Sequence, residues 1–172
     1  MIGGAIWTLF QSGWRDRRTQ FRSDLSAEEC LVRLQEDFSG LFGGEVGAVR
    51  GRMLGREARV VRRIFYQNSF RTVVSVSVAD NRGNAIVQTV AGVSMPVRIL
   101  MLAWFGFLLL FCSLALQGVA GGSPVEGDWI YFVLVPGGMF LFGFALVTGC
   151  RYLARDDEAV ILAYLRRRLE AA

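Results

Sequence analysis

The sequence predicts an α+β cytoplasmic domain with an inserted two-helix transmembrane hairpin, and three observations support this fold class. Two long uncharged apolar runs lie in the second half of the chain. They follow one amphipathic helical pattern and several segments in which apolar and polar residues alternate. A second short helical pattern comes after them. We therefore expect a domain over residues 1–97, a hairpin over 98–151 and a C-terminal amphipathic helix over 152–172.

Each of the two uncharged runs is long enough to cross a bilayer. The first starts at Ile99 and its apolar part ends near Gln117, and the second is Trp129–Cys150. A helix of about 20 apolar residues crosses about 30 Å of hydrocarbon, so the sequence predicts spans over 98–118 and 129–150. A pair of buried helices in a soluble core is the alternative. It is disfavoured because the rest of a 172-residue chain is too small to cover two such helices.

The distribution of charge predicts the orientation of the hairpin. Residues 1–98 carry 14 arginines and nine acidic residues, whereas the link at 118–128 carries only Glu126 and Asp128. Arg98 precedes the first run and Arg151 follows the second. Because the cytoplasmic flanks of membrane spans are the basic ones, we predict that both termini lie in the cytoplasm.

The basic residues also limit the possible chemistry. All 19 of them are arginine, which we interpret as the codon bias of a GC-rich bacterial genome. Together with the two predicted spans and their basic flanks, this interpretation predicts a location in a bacterial cytoplasmic membrane. The absence of histidine excludes Ser-His and Cys-His relays and imidazole metal sites. The absence of lysine excludes Schiff-base chemistry and the P-loop lysine. We assign no catalytic residue, no metal ligand and no cofactor.

The predicted domain consists of one helix followed by about four antiparallel strands in a meander. The helix covers about 26–39, with Ser26 as N-cap and Glu29 completing a capping box. The strands lie within about 45–94, with turns at Gly55 and Gly83. The C-terminal helix carries an apolar stripe that we expect to cover the sheet, although a position on the membrane surface is the alternative. For the first ten residues, a strand and an interfacial segment both remain open.

Several short stretches carry a resemblance to a known group. "FRSDLSAEEC" opens the first helix, "GAVRGR" follows, and "NSF" precedes a strand pair and two spans. This arrangement resembles a group of small uncharacterised bacterial two-span membrane proteins. The resemblance implies this architecture and no known activity, so no functional residue is carried over from it.

Five arginines are the candidate contacts to lipid or to another anion: Arg59, Arg62, Arg63, Arg71 and Arg98. The anionic lipids of the inner leaflet attract nearby basic side chains by about 1 kcal/mol each. A phosphorylated ligand and a solvated strand face without a specific role are the alternatives. In an extended strand, Arg59 and Arg63 share one face and Arg62 lies on the other. No nucleic-acid partner is predicted, because no recognition motif occurs and the acidic residues offset much of the charge.

Small residues in the second run are the candidates for helix packing, within the hairpin or between copies. They are Gly137, Gly138, Ala145 and Gly149. A transport role is disfavoured because neither run holds an ionisable residue other than cysteine. The loop "FYQNSF", Phe65 to Phe70, is either an exposed docking patch or part of the core, and the core is favoured.

These observations together predict a non-catalytic, membrane-tethered interaction or regulatory module, or an accessory subunit of a membrane complex. Membrane lipids and either a protein partner or a second copy are the expected partners. A homo-oligomeric pore or membrane effector is one alternative. An enzyme that acts on a membrane substrate through Asp, Glu, Ser or Cys is the other.

Overall fold

The computed structural model describes residues 8, 10–11, 14–39, 44–65, 68–81, 83–120 and 129–170. The elements along the described chain are β1 (Arg17–Ser23), α1 (Ala27–Phe38), β2 (Gly44–Val46), β3 (Val49–Leu54), β4 (Glu57–Arg62), β5 (Val73–Asn81), β6 (Asn84–Gly92), α2 (Met95–Ala120), α3 (Trp129–Leu153) and α4 (Asp157–Arg168). The α+β class predicted from the sequence is confirmed.

The strands form one antiparallel sheet of six strands in the order β1-β6-β5-β4-β3-β2. The prediction of about four strands is therefore wrong. Only three residues form β2, and a turn that contains Gly47 at φ +59° joins it to β3, so the alternation pattern does not distinguish the two strands. β1 was missed because it is an edge strand whose side chains are mostly charged or polar, and of these only Phe21 and Ser23 are buried.

Residue alternation determines which face of each strand is buried. Val74 and Val76 of β5 are buried, whereas Ser75 and Ser77, which alternate with them, are half-buried on the other face. The predicted turns are present, since Gly55 and Gly83 adopt φ values of +65° and +93°, a region that residues with a Cβ rarely enter. The sheet therefore has one buried apolar face and one more exposed face on which polar, charged and apolar residues mix.

Helices α1 and α4 pack on the apolar face and complete the core of the domain. α1 begins at its Ser26 N-cap, and the predicted capping box with Glu29 is present. Full burial of an aliphatic or aromatic side chain contributes about 1.5–3 kcal/mol, so the side chains that the two helices bury dominate the stability of the domain. The buried hydrophobic side chains of the two helices are Ala27, Cys30, Leu34, Phe38, Ile161, Tyr164 and Leu165.

Polar contacts fasten α4 to α1 as well as to the sheet. The hydroxyl of Tyr164 donates a hydrogen bond to Asp37. The guanidinium of Arg168 holds the same carboxylate at two points, 2.8 Å from Nε and 3.1 Å from Nη2. A bidentate arginine–carboxylate pair fixes both distance and orientation. The C-terminal helix thus lies on the domain, on the face that α1 also covers.

Helices α2 and α3 are long and apolar enough to cross a membrane, judged by length and composition. The qualifying windows are Met95–Leu114, with mean hydropathy 2.2, and Leu134–Arg168, with mean hydropathy 1.4, which continues past Leu153 into α4. Only 17% of each window is buried, whereas the core helix of a soluble protein is mostly buried. The two helices therefore present an apolar surface that the described chain does not cover.

The helical hairpin joins the sheet almost without a linker. β6 ends at Gly92 and α2 begins at Met95, so two residues separate strand from helix. A second apolar cluster, distinct from the core of the domain, holds the junction together: Phe70, Val93, Met101 and Val147. We call this end of the sheet the junction end.

Candidate functional site

Basic side chains line the face of the sheet opposite α1 and α4, which we call the open face. The strand register places Arg52 opposite Arg59, Arg59 opposite Ser75, Ser75 opposite Val90, and Val90 opposite Arg18. This single row crosses five strands. Its three arginines are exposed, and the two residues between them are half-buried.

The open face carries a clear excess of positive charge. Its ionisable side chains are Arg18, Arg22, Arg50, Arg52, Arg59, Arg63, Glu45 and Glu57. Glu45 pairs with two of the arginines, at 3.6 Å from Nε of Arg50 and 3.5 Å from Nε of Arg63. Arg52 and Arg59 face each other directly, and like charges in that position destabilise a sheet.

The shape of the open face follows from the strand spacing. β4 and β1 are separated by β5 and β6, and neighbouring strands lie about 4.8 Å apart. The Cα atoms of Arg59 and Arg18 are therefore about 14 Å apart across the row. Small and uncharged residues such as Ser75 and Ser77 lie between them. The result is a shelf with an arginine margin on each side.

The five arginines predicted as anion contacts do not form one cluster. Arg59 and Arg63 lie on the open face. Arg62 lies on the helix-covered face, where its Nη1 is 3.4 Å from Oδ1 of Asp157. Arg71 lines a separate cleft at the junction end. Arg98 hydrogen-bonds to Asp16. The contact of each with lipid or another anion stays a prediction.

Asp157 and Asp16 have structural roles that the sequence did not reveal. Burial raises the pKa of Asp157, while a hydrogen bond from the Thr72 backbone and the charge of Arg62 oppose that increase. The hydrogen bond from Arg98 lowers the pKa of Asp16. These carboxylates attach α4 and α2 to the sheet. Their pairing depends on contacts distant in sequence, which no local pattern reports.

A second basic cleft, of about 570 Å³, lies at the junction end. Its charged lining consists of Arg15, Arg17, Arg151, Arg155, Asp16 and Glu158. Much of this charge is already engaged. Arg17 lies 3.3 Å from Glu158, and Nη1 of Arg151 donates to the carbonyl of Phe70 at 3.0 Å. The first contact connects the start of β1 to the start of α4, and the second connects the end of α3 to the loop between β4 and β5.

The small residues predicted to pack helices lie away from the contact between α2 and α3. A Cβ added at Gly137, Gly138 or Gly149 would meet nothing within 4 Å, and Ala145 is exposed. Gly143 lies at the contact instead, because a Cβ there would lie 2.8 Å from Nε1 of Trp104. None of these three glycines therefore makes a close contact within the described part of the hairpin, and the predicted packing, within the hairpin or between copies, stays a prediction.

The loop "FYQNSF" is divided between surface and core. Phe65 is 97% exposed, whereas Phe70 is 7% exposed and belongs to the junction cluster. Tyr66 and Gln67 lie outside the described residues, as does most of the N-terminal segment and the link at 121–128. Phe10, which is described, packs on Phe105 and Phe144 at centroid distances of 5.9 and 4.9 Å.

Among the described residues, no group of three His, Cys, Asp or Glu side chains could hold a metal ion. Cys30 is buried in the core, where its thiol lies 3.4 Å from the Ser23 hydroxyl. Cys112 and Cys150 are half-buried in α2 and α3. The exposed arginines of the open face are suited to the recognition of anions.

Comparison with known proteins gives only distant structural similarity. No family model matches the sequence, and no curated protein matches it. The fold is similar to CalU16 from Micromonospora echinospora, with 14% identity over 77% of this chain and 88% of that chain, at a TM-score of 0.35. It is also similar to an uncharacterized protein from Bacillus thuringiensis, with 11% identity over 80% of this chain and 99% of that chain, at a TM-score of 0.25.

Proposed function

We propose that this protein is a non-catalytic, membrane-tethered interaction module. The hairpin of α2 and α3 anchors it in a bacterial cytoplasmic membrane, and the open face binds a partner protein that presents an acidic helix. The main observation in support is the row of residues across the open face, in which Arg52 lies directly opposite Arg59 and Arg18 lies at the other end. This row opposes the stability of the sheet, and an acidic partner would compensate its charge.

The exposed apolar surface of the hairpin supports the membrane anchor. Leu102, Leu109 and Leu141 are more than 60% exposed, and contact with lipid is the environment that suits such side chains. Arg98 and Arg151 flank the hairpin at the junction end. Arginine at that end suits a cytoplasmic position of the sheet, with both termini on the same side as the sheet.

The dimensions of the open face support a helical occupant. An α-helix with its side chains has a diameter of about 10–12 Å, which the shelf of about 14 Å between Arg59 and Arg18 can receive. Acidic side chains on both flanks of such a helix would meet the two arginine margins. Arginine pairs with carboxylates through two parallel hydrogen bonds, which gives this recognition a defined geometry.

The membrane anchor is tested by extracting native membranes with alkaline carbonate. A chain anchored by two spans stays with the lipid fraction and requires detergent for release. Release of the intact chain by carbonate alone would overturn the anchoring, independently of whether the open face binds a partner.

The open face is tested by placing a photo-crosslinking residue at Ser75 in the full-length chain in native membranes. We expect one adduct of defined mass that weakens as the salt concentration is raised. The same probe at Arg167, which is exposed on α4 on the other side of the sheet, serves as the control. Equal adducts from both positions would contradict docking on the open face.

A pair of charge-matched variants separates specific docking from general attraction. Arg52→Gln with Arg59→Gln removes two charges from the open face, and we expect the adduct to be lost. Arg166→Gln with Arg167→Gln removes two charges from α4 and should leave it unchanged. The recovered partner is then assayed directly, with its acidic helix supplied as a peptide. A partner without such a helix would overturn the proposal.

A further inference from the structure

An apolar groove of about 280 Å³ lies between α2 and α3 close to the sheet. Aliphatic and aromatic side chains and Gly143 line it, and Phe70 from the loop between β4 and β5 closes its upper end. Leu100 forms part of the wall and is 65% exposed, so the groove opens sideways on the hairpin. An apolar chain can enter it from the surface that the hairpin presents to lipid.

A polar cleft lies at the junction end, next to the groove. Arg71, Ser69 and Ser94 provide its donors, and within the described residues no acidic side chain lines it. Arg71 is half-buried. Asn68 also borders the cleft, but its side chain is already engaged with the carbonyl of Cys150 and the backbone N–H of Phe70, at 3.0 and 2.9 Å. Arg71 is therefore the charge that this cleft presents to a ligand.

The groove and the cleft are neighbours, with the buried ring of Phe70 between them. Val97 of the cleft, Met101 and Trp104 of the groove recur at helical spacing and form one stripe along α2. Phe70 of the groove lies between Ser69 and Arg71 of the cleft in the sequence. One elongated site therefore has an apolar lower part and a cationic upper part.

The surroundings of the cleft suit the interfacial layer of a bilayer. Phe65 borders the cleft and is 97% exposed, and the guanidinium of Arg63 lies 5.7 Å from its ring centroid. Arginine is enriched at the cytoplasmic ends of membrane spans, and an exposed phenylalanine ring beside it can enter the interfacial layer. If the hairpin spans the membrane as proposed above, Arg71 and Arg63 lie at the end of the hairpin nearest the sheet, where lipid headgroups would be.

We propose that this elongated site binds one anionic phospholipid, with its phosphate on Arg71 and the serine hydroxyls and an acyl chain in the groove. The inference rests on the membrane anchoring proposed above and extends it to a specific lipid. A helix from a second copy is the competing occupant. It fits the charge less well, because the junction ends of its spans carry Arg98 and Arg151 and would bring arginine towards Arg71.

The test measures the phosphatidylglycerol that stays bound when the full-length chain is purified in mild detergent, by native mass spectrometry. We expect one lipid per chain. Arg71→Gln removes the phosphate contact and should lower retention by about tenfold. Leu100→Trp fills the groove and should abolish retention. Inorganic phosphate should not displace the lipid, since it has no acyl chain.

Two matched controls make the result specific. Arg56→Gln removes an exposed arginine from the turn between β3 and β4, far from the cleft. Leu102→Trp enlarges a residue of α2 that is 61% exposed and does not line the groove. Both variants should retain the lipid. Equal retention by all four variants would show general lipid association and overturn the proposal.

The remaining outcomes are also decisive. A dimer that Leu100→Trp converts to a monomer, with lipid retention unchanged, would assign the groove to a second copy and overturn the proposal. The carbonate extraction reports the anchor separately, so a chain that stays in the membrane without retaining the lipid rejects only this inference. The variant Arg52→Gln with Arg59→Gln should retain the lipid, which separates this site from the open face.

Discussion

Asp157 is almost fully buried at the start of α4, and its Oδ1 atom lies 3.4 Å from Nη1 of Arg62 at the end of β4. The pair connects the last helix to the middle of the sheet. A buried carboxylate is expensive to leave unpaired, because removal of its partner leaves a charge that water cannot reach. Arg62 is one of the predicted contacts to an external anion, and that contact stays a prediction; in the structure its guanidinium pairs with Asp157.

Replacement of Arg62 should destabilise the protein more than replacement of Asp157 by its amide. Arg62→Gln leaves the buried carboxylate without its cation, and we expect a loss of about 3 kcal/mol. Asp157→Asn removes the charge and keeps the shape, so its cost should be smaller. Denaturant unfolding in detergent measures both, with Arg50→Gln as an exposed control. Equal losses for the two variants would contradict this account.

The same pair predicts a pH dependence of stability. Because burial raises the pKa of Asp157 above its ordinary value of 3.8, the folded chain binds this proton more tightly than the unfolded chain does. The contribution of Asp157 therefore favours folding below pH 3.8 and declines as the pH rises through its folded pKa. Relative to Asp157→Asn, the unaltered protein should lose stability as the pH rises from 3.8 to the pKa of Asp157 in the folded chain. A constant difference between the two would disagree with the raised pKa.

Tyr164 should contribute to stability through its hydrogen bond to Asp37. Tyr164→Phe removes that bond and should cost about 1 kcal/mol, while the exposed Tyr152 gives the control variant Tyr152→Phe. Burial, and then the bond to Asp37, raise the pKa of Tyr164 above its ordinary value of 10.0. Its contribution is therefore complete below pH 10.0 and is lost as the pH rises through the folded pKa. Alkaline unfolding monitored by tyrosinate absorbance checks both.

Gly143 should be the glycine of α3 that tolerates no larger side chain. Gly143→Leu places atoms where the Trp104 indole lies, and the forced displacement should cost about 1–3 kcal/mol. Gly137→Leu in the same helix should cost less, since a Cβ there meets nothing within 4 Å. Thermal unfolding in detergent and the tryptophan emission spectrum report the change. A larger loss for Gly137→Leu would move the helix contact to the other side of α3.

Removal of an arginine from the row on the open face should increase the stability of the protein and weaken partner binding. Arg59→Thr relieves the like charge opposite Arg52 and should raise the free energy of unfolding by about 0.2–1 kcal/mol, while the adduct from Ser75 weakens. Arg50→Thr is the matched control, because Arg50 pairs with Glu45 at 3.6 Å and its removal relieves no repulsion. A loss of stability in Arg59→Thr would argue against a binding role for this row.

Local patterns predicted the parts of the fold that depend on near neighbours. The Ser26 capping box, the glycine turns and the alternation in β5 all follow from residues within a few positions of each other. The same alternation correctly separated Arg62 from Arg59 and Arg63. These features are determined by backbone geometry, so a single sequence suffices to find them.

The parts that escaped prediction depend on contacts far apart in the chain. Arg18 joins the open-face row only because β1 pairs with β6, about seventy residues later. Gly143 meets Trp104 only because of how α3 is rotated about its axis, which an apolar run does not encode when nearly every position is apolar. The Arg62–Asp157 pair likewise forms between elements that the hairpin separates.

The position of α4 has a consequence for biosynthesis. Ile161 and Leu165 complete the core of the sheet, yet the ribosome adds them only after both helices of the hairpin. Until then Val60 and Val74 have no α4 to cover them, and α1 alone shields the apolar face. Folding of the domain is therefore completed only after both helices of the hairpin have been synthesised. We expect a chain that ends within α3 to expose the apolar face of its sheet and to be degraded by proteases.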